Sequence, residues 1–460
     1  MADLGNSPAS RDIAYLMHPY TNQELHKTVG PVIMESGKGV WVTDDQGKSY
    51  IEGMAGLWCT SLGFGEERLV EAAANQMRKL PYYQIFAHKS HEPAIDLAER
   101  LIAMAPGDMG KVFFANSGSE ATDTVVKLVW YYNNAIGRPE KKKIISRIKG
   151  YHGVTVASAS MTGLPGNHRD FDLPIARILH TDCPHLYRFG LPGETEVEFA
   201  DRLAASLEKM ILDEGPDTVA LFIGEPLMGA GGVIVPPETY WDKIQAVCRK
   251  YDVLICADEV ICGFGRTGNM FGSETYKITP DFMTVAKALS SAYLPISAVV
   301  VSNTVADAVS RNSSKIGTFG HGYTYSGHPV AAAVALETLK IYEERDILSH
   351  VRAIVPRFQA GLKALGDHPL VGEARGTGLI GAVELVADKE SRANFDPKLG
   401  VGVYCGNRAQ AHGMITRALG GDALAFCPPL IITEDEIDEM FARFRKGLDD
   451  TADWLAKTAG

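Results

Sequence analysis

The sequence predicts an α/β protein: a mostly parallel central sheet with helices on both faces, plus a smaller α+β domain built from both chain ends. Three observations carry that prediction. Short, nearly continuous apolar runs such as Val219–Gly224 and Val253–Ala257 alternate with stretches of helical period, the pattern of strands buried on both faces. The period changes near Glu66 and again near Val330, so the middle of the chain is organised differently from its ends. Polar or ionisable residues follow one apolar run after another, at the strand ends where parallel sheets collect ligands.

In chain order, Met1–Arg11 is polar and expected to fray, and Asp12–Met17 reads as a short helix ended by Pro19. Pro31–Ile51 alternates apolar and polar residues around Asp44-Asp45-Gln46-Gly47 and reads as a hairpin. Glu66–Lys79 and Glu92–Met104 read as amphipathic helices. Strands are then expected at Val112–Ala115, Ile144–Ile148, Val219–Gly224, Val253–Ala257, Phe282–Ala286 and Ile296–Val301. Helices from Ser119, over Phe199–Asp213 and over Glu238–Tyr251 alternate with them. Beyond Val330 come helices Val330–Glu344 and Val351–Leu365, strands Gly378–Val386 and Met414–Leu419, and a strand pair about Gly420-Gly421-Asp422. The last helix opens on Thr433-Glu-Asp-Glu436, which fits a capping box. Residues 66–329 are expected to form a large domain, with 1–65 and 330–460 as the two parts of the small one.

With 460 residues, 46% hydrophobic and 22% charged, the chain is ordinary globular protein with room for a large core. A formal charge of −11 argues against nucleic acid or an anionic membrane as a main partner, since both demand a basic face. No apolar run reaches the ~20 residues a membrane helix needs, and the start, MADLGNSPASRD, is not expected to be a secretory signal. Seven scattered cysteines without a C-x-x-C pair fit thiols in a reducing cytoplasm.

The candidate chemistry sits at the strand ends. Lys287 follows Phe282–Ala286; a lysine there, if buried, has a lowered pKa and can attack carbonyls, whereas on the surface it does nothing. Ser117-Gly118-Ser119-Glu120 is both a capping box and an anion site, because the free N–H groups of a helix start can face a phosphate. Glu225 ends another strand. Asp258 follows Val-Leu-Ile-Cys-Ala and reads either as a cap or as the counter-ion of a buried cationic nitrogen, as pyridoxal chemistry requires. Gly150-Tyr151-His152-Gly153 offers an aromatic face for core packing or for a flat cofactor, and His152 is given no proton-transfer role. Gly263-Phe-Gly265-Arg-Thr-Gly268 spells the dinucleotide fingerprint but follows no strand directly and opens no helix. His88-Lys-Ser-His91-Glu92 and His180-Thr-Asp182-Cys183-Pro-His185 hold metal-ligand residue types at no recognised spacing, so no metal is expected.

Assembled, these residues resemble the class III (ω-type) aminotransferases of fold type I, which depend on pyridoxal 5′-phosphate. The likeness runs from about His18 to Met440 through Glu52-Gly53-Met-Ala-Gly-Leu-Trp-Cys59, Asn116–Glu120, Gly150–Gly153, Gly224–Pro226, Ala257–Val260 and Gly263–Gly268. It continues with Pro280-Asp281, Ala286-Lys287, Gly322–Pro329 and Arg417. The resemblance implies that Lys287 forms the Schiff base and shuttles the proton, that Asp258 holds the pyridine nitrogen and that Tyr151 stacks on the ring. It implies a phosphate site at Ser117, Gly118 and Ser119 completed by Thr324 of another subunit, with His152, Glu225 and Val260 beside the cofactor. Arg417 is similar to the family's mobile carboxylate-binding arginine, and Trp58, with Tyr20 and Phe86 expected from the partner chain, lines the substrate pocket. A homodimer or homotetramer with shared sites follows, moving an amino group from an amine or ω-amino acid to a keto acid, pyruvate being the expected acceptor. Alternatives are an aminomutase or decarboxylase on the same scaffold, or a nicotinamide oxidoreductase using Gly263–Gly268. Four departures are notable: Ala288, Ala292 and Ser297 stand where the family usually has glycine, and Glu52 where it commonly has aspartate.

Overall fold

The computed structural model describes residues 6–458. Its centre is a seven-stranded sheet in the order Met109–Ala115, Ser297–Ser302, Phe282–Val285, Leu254–Asp258, Val219–Gly224, Lys143–Arg147, Ile178–Thr181. Neighbours are parallel from Phe282–Val285 through Ile178–Thr181; Ser297–Ser302 alone runs against both of its neighbours. Val219–Gly224 is buried at every position because alternate residues face opposite layers. Leu221 and Ile223 pack with Val125 and Val129 of helix Gly118–Ala135. Phe222 packs with Leu203 and Ile244 of helices Glu196–Glu214 and Tyr240–Lys250. At about 1.5–3 kcal/mol for each large apolar side chain buried, two such layers fix the sheet whose strand ends carry the site.

Two four-stranded sheets draw on the chain ends. One holds Met34–Lys38, Trp41–Asp44, Ser49–Glu52 and Met414–Ile415; the other holds Val371–Thr377, Ile380–Leu385, Ala423–Phe426 and Arg417–Leu419. The expected hairpin over Pro31–Ile51 is thus three strands, with its sharp turn at Asp44–Gly47 as anticipated. The expected single strand Met414–Leu419 breaks at Thr416 and serves both sheets, Met414–Ile415 beside Ser49–Glu52 and Arg417–Leu419 beside Ala423–Phe426. Helix Glu434–Thr458 opens on the anticipated box: Thr433 Oγ1 accepts from Glu436 N–H at 3.3 Å, and the Glu436 carboxylate takes the Thr433 N–H at 3.0 Å.

The expectation of a frayed start needs correction from Pro8 onward, where Ser7 caps a helix, Pro8–Tyr15, by accepting from Ser10 N–H at 3.1 Å. Met1–Gly5 lie outside the described residues. The sequence reading also lacks the edge strand Ile178–Thr181, the strand Val371–Thr377 and the helices Asn303–Ile316 and Val401–Ala411. Among the described residues, no helix is long and apolar enough to cross a membrane.

Candidate active site

The carboxyl ends of the strands close on a cavity of about 110 Å³ lined by Gly118, Ser119, Tyr151, His152, Gly153, Glu225, Asp258, Val260, Ile261 and Lys287. Seven of the residues singled out from the sequence therefore meet with Lys287 at one place. Lys287 begins a single 3-10 turn, Lys287–Ser290, with φ at +49°, a left-handed conformation that costs a residue with a Cβ roughly 1–2 kcal/mol. Burial of its ammonium pushes its pKa down, and the nearby carboxylates of Asp258 and Glu225 oppose that only in part.

Asp258 is the best-anchored group in the cavity. His152 Nδ1 lies 2.7 Å from its Oδ2, while Thr284 Oγ1 and Val260 N–H donate to Oδ1 at 3.1 and 3.2 Å. Thr284 reaches it because Phe282–Val285 pairs with the Asp258 strand in a register that sets Asp258 opposite Thr284. The Glu225 carboxylate accepts from Tyr151 N–H at 3.0 Å and Gly229 N–H at 2.8 Å, and burial raises its pKa. Arg147, fully buried at the end of a neighbouring strand, donates to the Glu225 carbonyl at 2.6 Å. At the far wall Ser117 caps helix Gly118–Ala135 by accepting from Glu120 N–H at 3.2 Å. The Glu120 carboxylate folds back onto Asn116 N–H at 2.7 Å, so the box is displaced by one residue from the expected form. A Cβ on Gly118 would stand 3.2 Å from the Val260 side chain, so any larger residue there requires Val260 to give way by a few tenths of an ångström.

The sequence comparison decides what these groups belong to. The family model for aminotransferase class III matches residues 22–448. The chain belongs to the class III aminotransferases. This aminotransferase is 55% identical over 437 residues to gamma aminobutyrate transaminase 1, mitochondrial, of Solanum lycopersicum, covering 95% of the chain and 85% of the relative. Among solved structures it is similar to the omega transaminase from Pseudomonas jessenii in complex with PMP, with 60% identity, a TM-score of 0.97, and 98% and 99% of the two chains covered. It is equally similar, at 60% identity and a TM-score of 0.96 over 98% and 100% of the chains, to a thermostable omega transaminase variant, W58M/F86L/R417L. That variant is described as engineered for asymmetric synthesis of enantiopure bulky amines.

Enzymes of this class use pyridoxal phosphate, and the donor set of the aminotransferase fits it. The N–H groups of Gly118 and Ser119 have no protein acceptor among the described residues, which leaves a helix start of free donors for a phosphate. At the opposite end the cavity offers a lysine amine and a buried carboxylate. His152 Nε2 is buried without a partner.

The remaining expected residues fall in two groups. Tyr20 stands beside Tyr151 of its own chain, and the Arg417 guanidinium lies 5.8 Å from the Tyr20 ring centre. The expectation that Tyr20 comes from a partner is therefore corrected: the helix pair at the chain start folds it back onto its own site. Trp58 is buried beside Ile261, in a knot where Ala55, Gly56 and Trp58 all have positive φ. Phe86 and Thr324 line no part of the Lys287 cavity. Phe86 packs against Gly322, the Thr324 carbonyl accepts from the Tyr82 hydroxyl at 2.7 Å, and both residues are exposed.

The decoys resolve differently. Gly263–Gly268 forms turns closed by Phe264 N–H on the Met270 carbonyl at 2.6 Å and opens no helix, so the dinucleotide context is absent. Neither histidine loop gathers its own ligand types; His91 caps helix Glu92–Met104 and His185 reaches Glu373 instead. Thr284, Arg147 and Ile261 were not singled out from the sequence, and Gly153 only as part of the Gly150–Gly153 motif. Arg147 carried a usable signal, being a charge at the end of an apolar run just as Lys287 is; Thr284 becomes visible only once strand register is known.

Proposed function

We propose that this aminotransferase moves an amino group from an amine or ω-amino acid to a keto acid, pyruvate in the first instance, by a ping-pong route. The observation that carries the reading is the meeting of Lys287, Asp258 and the Gly118 helix start around one cavity. Bound pyridoxal phosphate supplies an electron-withdrawing ring that carries the amino group between donor and acceptor. Gly118 and Ser119 N–H groups hold its phosphate, with Ser117 setting the helix start. Asp258, held in place by His152, Thr284 and Val260, would pair with the cofactor's ring nitrogen, and Tyr151 and Glu225 would line the ring. Lys287 Nζ would hold the bound cofactor and serve as the base that moves a proton at the substrate carbon; its lowered pKa supports that role.

Arg417, Tyr20 and Trp58 form the substrate side. The residues altered in the W58M/F86L/R417L relative correspond in type and number to Trp58, Phe86 and Arg417 here, which supports the assignment. The gamma-aminobutyrate activity in the relatives' names makes ω-amino acids the first donors to try. The exposure of Phe86 and Thr324 away from their own cavity fits a homodimer, or a dimer of dimers, in which they complete the neighbour's site. In this reading residues 66–329 are the cofactor domain, and 1–65 with 330–460 the small one. Seven free cysteines fit a reducing compartment, cytoplasmic in our reading, although the plant relatives carry mitochondrial or chloroplastic names.

The test is a set of separate half-reactions with amines, ω-amino acids and keto acids, followed by the visible band of the lysine-bound cofactor. The expected result is loss of the band with donors and recovery with pyruvate. Turnover of a single substrate without any keto acid would instead favour a mutase or decarboxylase.

A further inference from the structure

We propose that Asp12, His18 and His26 form a binding site for one divalent transition-metal ion of the zinc class, which staples the turn that carries Tyr20. His18 Nε2 lies 2.9 and 3.0 Å from the two carboxylate oxygens of Asp12, and His26 Nε2 lies 2.9 Å from Oδ1. The two imidazole ring centres are 4.2 Å apart. Three separate pieces of chain supply the set: Asp12 comes from helix Pro8–Tyr15, His18 from the turn after it, and His26 from inside helix Gln23–Val29. Both rings turn the same nitrogen to one carboxylate edge. His26 is buried, and Asp12 and His18 are only partly accessible.

The spacing suits an ion. Ligands around a tetrahedral zinc, at bonds of about 2.0–2.1 Å, stand roughly 3.3 Å apart. The observed nitrogen-to-oxygen separations of 2.9–3.0 Å are a few tenths shorter, so entry requires a slight opening of the set and no rebuilding. Each Nε2 must present its lone pair, which moves the ring proton to Nδ1. Neither Nδ1 is committed to a protein partner among the described residues, so that tautomer breaks no other bond. The ion replaces two shared protons at the centre of the cluster, and solvent on the His18 side can fill the fourth position.

A second cluster shows what disqualifies such a set. His185, Glu373 and Glu384 also converge, yet Arg375 Nη1 already lies 2.5 Å from Glu373 and 2.6 Å from Glu384. The guanidinium occupies the cation's place there. At Asp12 only the two histidines make ion-pair contacts among the described residues. Two imidazoles and one carboxylate select zinc-like ions over magnesium or calcium, which prefer all-oxygen sets.

The consequence reaches the active site. Tyr20 lies between the two histidines in sequence, has φ at +51°, and receives a hydrogen bond on its hydroxyl from Asn167 at 2.6 Å. An ion bridging His18 and His26 fixes both ends of that turn beneath Arg417.

The experiment uses untagged, cofactor-loaded enzyme, dialysed against a chelator and titrated with Zn²⁺ in competition with a chromophoric indicator. One ion per chain is expected in wild type, with affinity at least tenfold weaker in Asp12→Asn and in His26→Gln, and no comparable Mg²⁺ binding. Asp12→Asn retains an oxygen for the histidine N–H groups, so it separates loss of metal from loss of fold; its circular dichroism and melting should match the metal-free wild type. Electron paramagnetic resonance of bound Cu²⁺ should show coupling to two nitrogens in wild type and to fewer in His26→Gln. Zinc binding that is absent in wild type, or equal in wild type and both variants, overturns the proposal and leaves the cluster a hydrogen-bonded clasp.

Discussion

Replacing Arg417 by alanine separates the two halves of the proposed reaction. The guanidinium lies 5.8 Å from the Tyr20 ring centre and makes no ion pair among the described residues, so its charge is available to a substrate. Leaving a partly exposed aromatic ring costs about 0.5–1 kcal/mol. Two charge-assisted hydrogen bonds to a carboxylate contribute about 1.5–3 kcal/mol each. Allowing for solvent screening and the lost ring contact, removal costs a carboxylate substrate about 2–4 kcal/mol, or roughly 30- to 1,000-fold in kcat/KM. An apolar amine makes neither bond, and its half-reaction should change less than about threefold. Single-turnover traces with pyruvate and with an aromatic amine, read from the cofactor's absorbance, measure both numbers on one preparation. Equal losses in the two half-reactions would mean that Arg417 supports the pocket generally, and the assignment of a carboxylate clamp that swings aside would fail.

Three further outcomes follow from particular residues. Lys287→Ala should abolish the visible band of lysine-bound cofactor and lower turnover by at least about 10²–10⁴-fold, the usual contribution of a positioned acid–base group; a retained enzyme-linked band would remove the central assignment. Burial lifts the Glu52 carboxyl from 4.5 to about 7, so the folded state holds this proton more tightly than the unfolded chain does. Its contribution is then full below the unfolded pKa and is lost as pH rises from about 4.5 to about 7, by at most roughly 3 kcal/mol. In Glu52→Gln the denaturant midpoint should therefore fall less steeply over that window, and an unchanged slope would refute the cause. Ala292 has φ at +62°, where a Cβ costs about 1 kcal/mol. After the greater unfolded-state freedom of glycine is subtracted, Ala292→Gly should stabilise by up to about 0.5 kcal/mol in urea unfolding, and a destabilisation of that size would contradict it.

Much of the site was legible because its residues break local rules. Lys287, Asp258, Glu225 and the Gly118 turn each interrupt or end an apolar run, and four interruptions on the same side of a parallel sheet have few structural explanations. The strand Val371–Thr377 was hidden for the opposite reason: its sequence, VGEARGT, looks like loop. Its charges are tolerated because Glu373 meets His185 at 2.9 Å and Arg375 meets the Gly232 carbonyl at 2.6 Å, partners far away in sequence. The break at Thr416 was invisible too, since a short strand-like segment carries no mark of which sheet each residue joins. Tyr20 was assigned to the wrong chain because motif order says nothing about which copy a loop folds onto. Ser297 has a place that its side chain explains: its hydroxyl donates to the Ser117 carbonyl at 2.7 Å, a tie between the last strand and the helix start that glycine could not make.

That tie bears on how Lys287 is held. The lysine follows a strand whose register with its neighbour is fixed by Cys256 opposite Phe282 and Asp258 opposite Thr284. Thr284 is in turn hydrogen-bonded to Asp258. A shift of one residue in that pairing would carry Thr284 to the other face, lose its bond to Asp258 and misplace the amine at once. Backbone pairing within the sheet thus fixes where the strand delivers the chain beside Asp258, and the left-handed φ at Lys287 shows it turning sharply as soon as the strand ends. Ser297, on the strand that pairs with Phe282–Val285 from the other side, links this unit to the Gly118 turn. Lysine, carboxylate and helix start are therefore three points on one hydrogen-bonded frame, which is the rigidity that the proposed three-point hold on a flat cofactor requires.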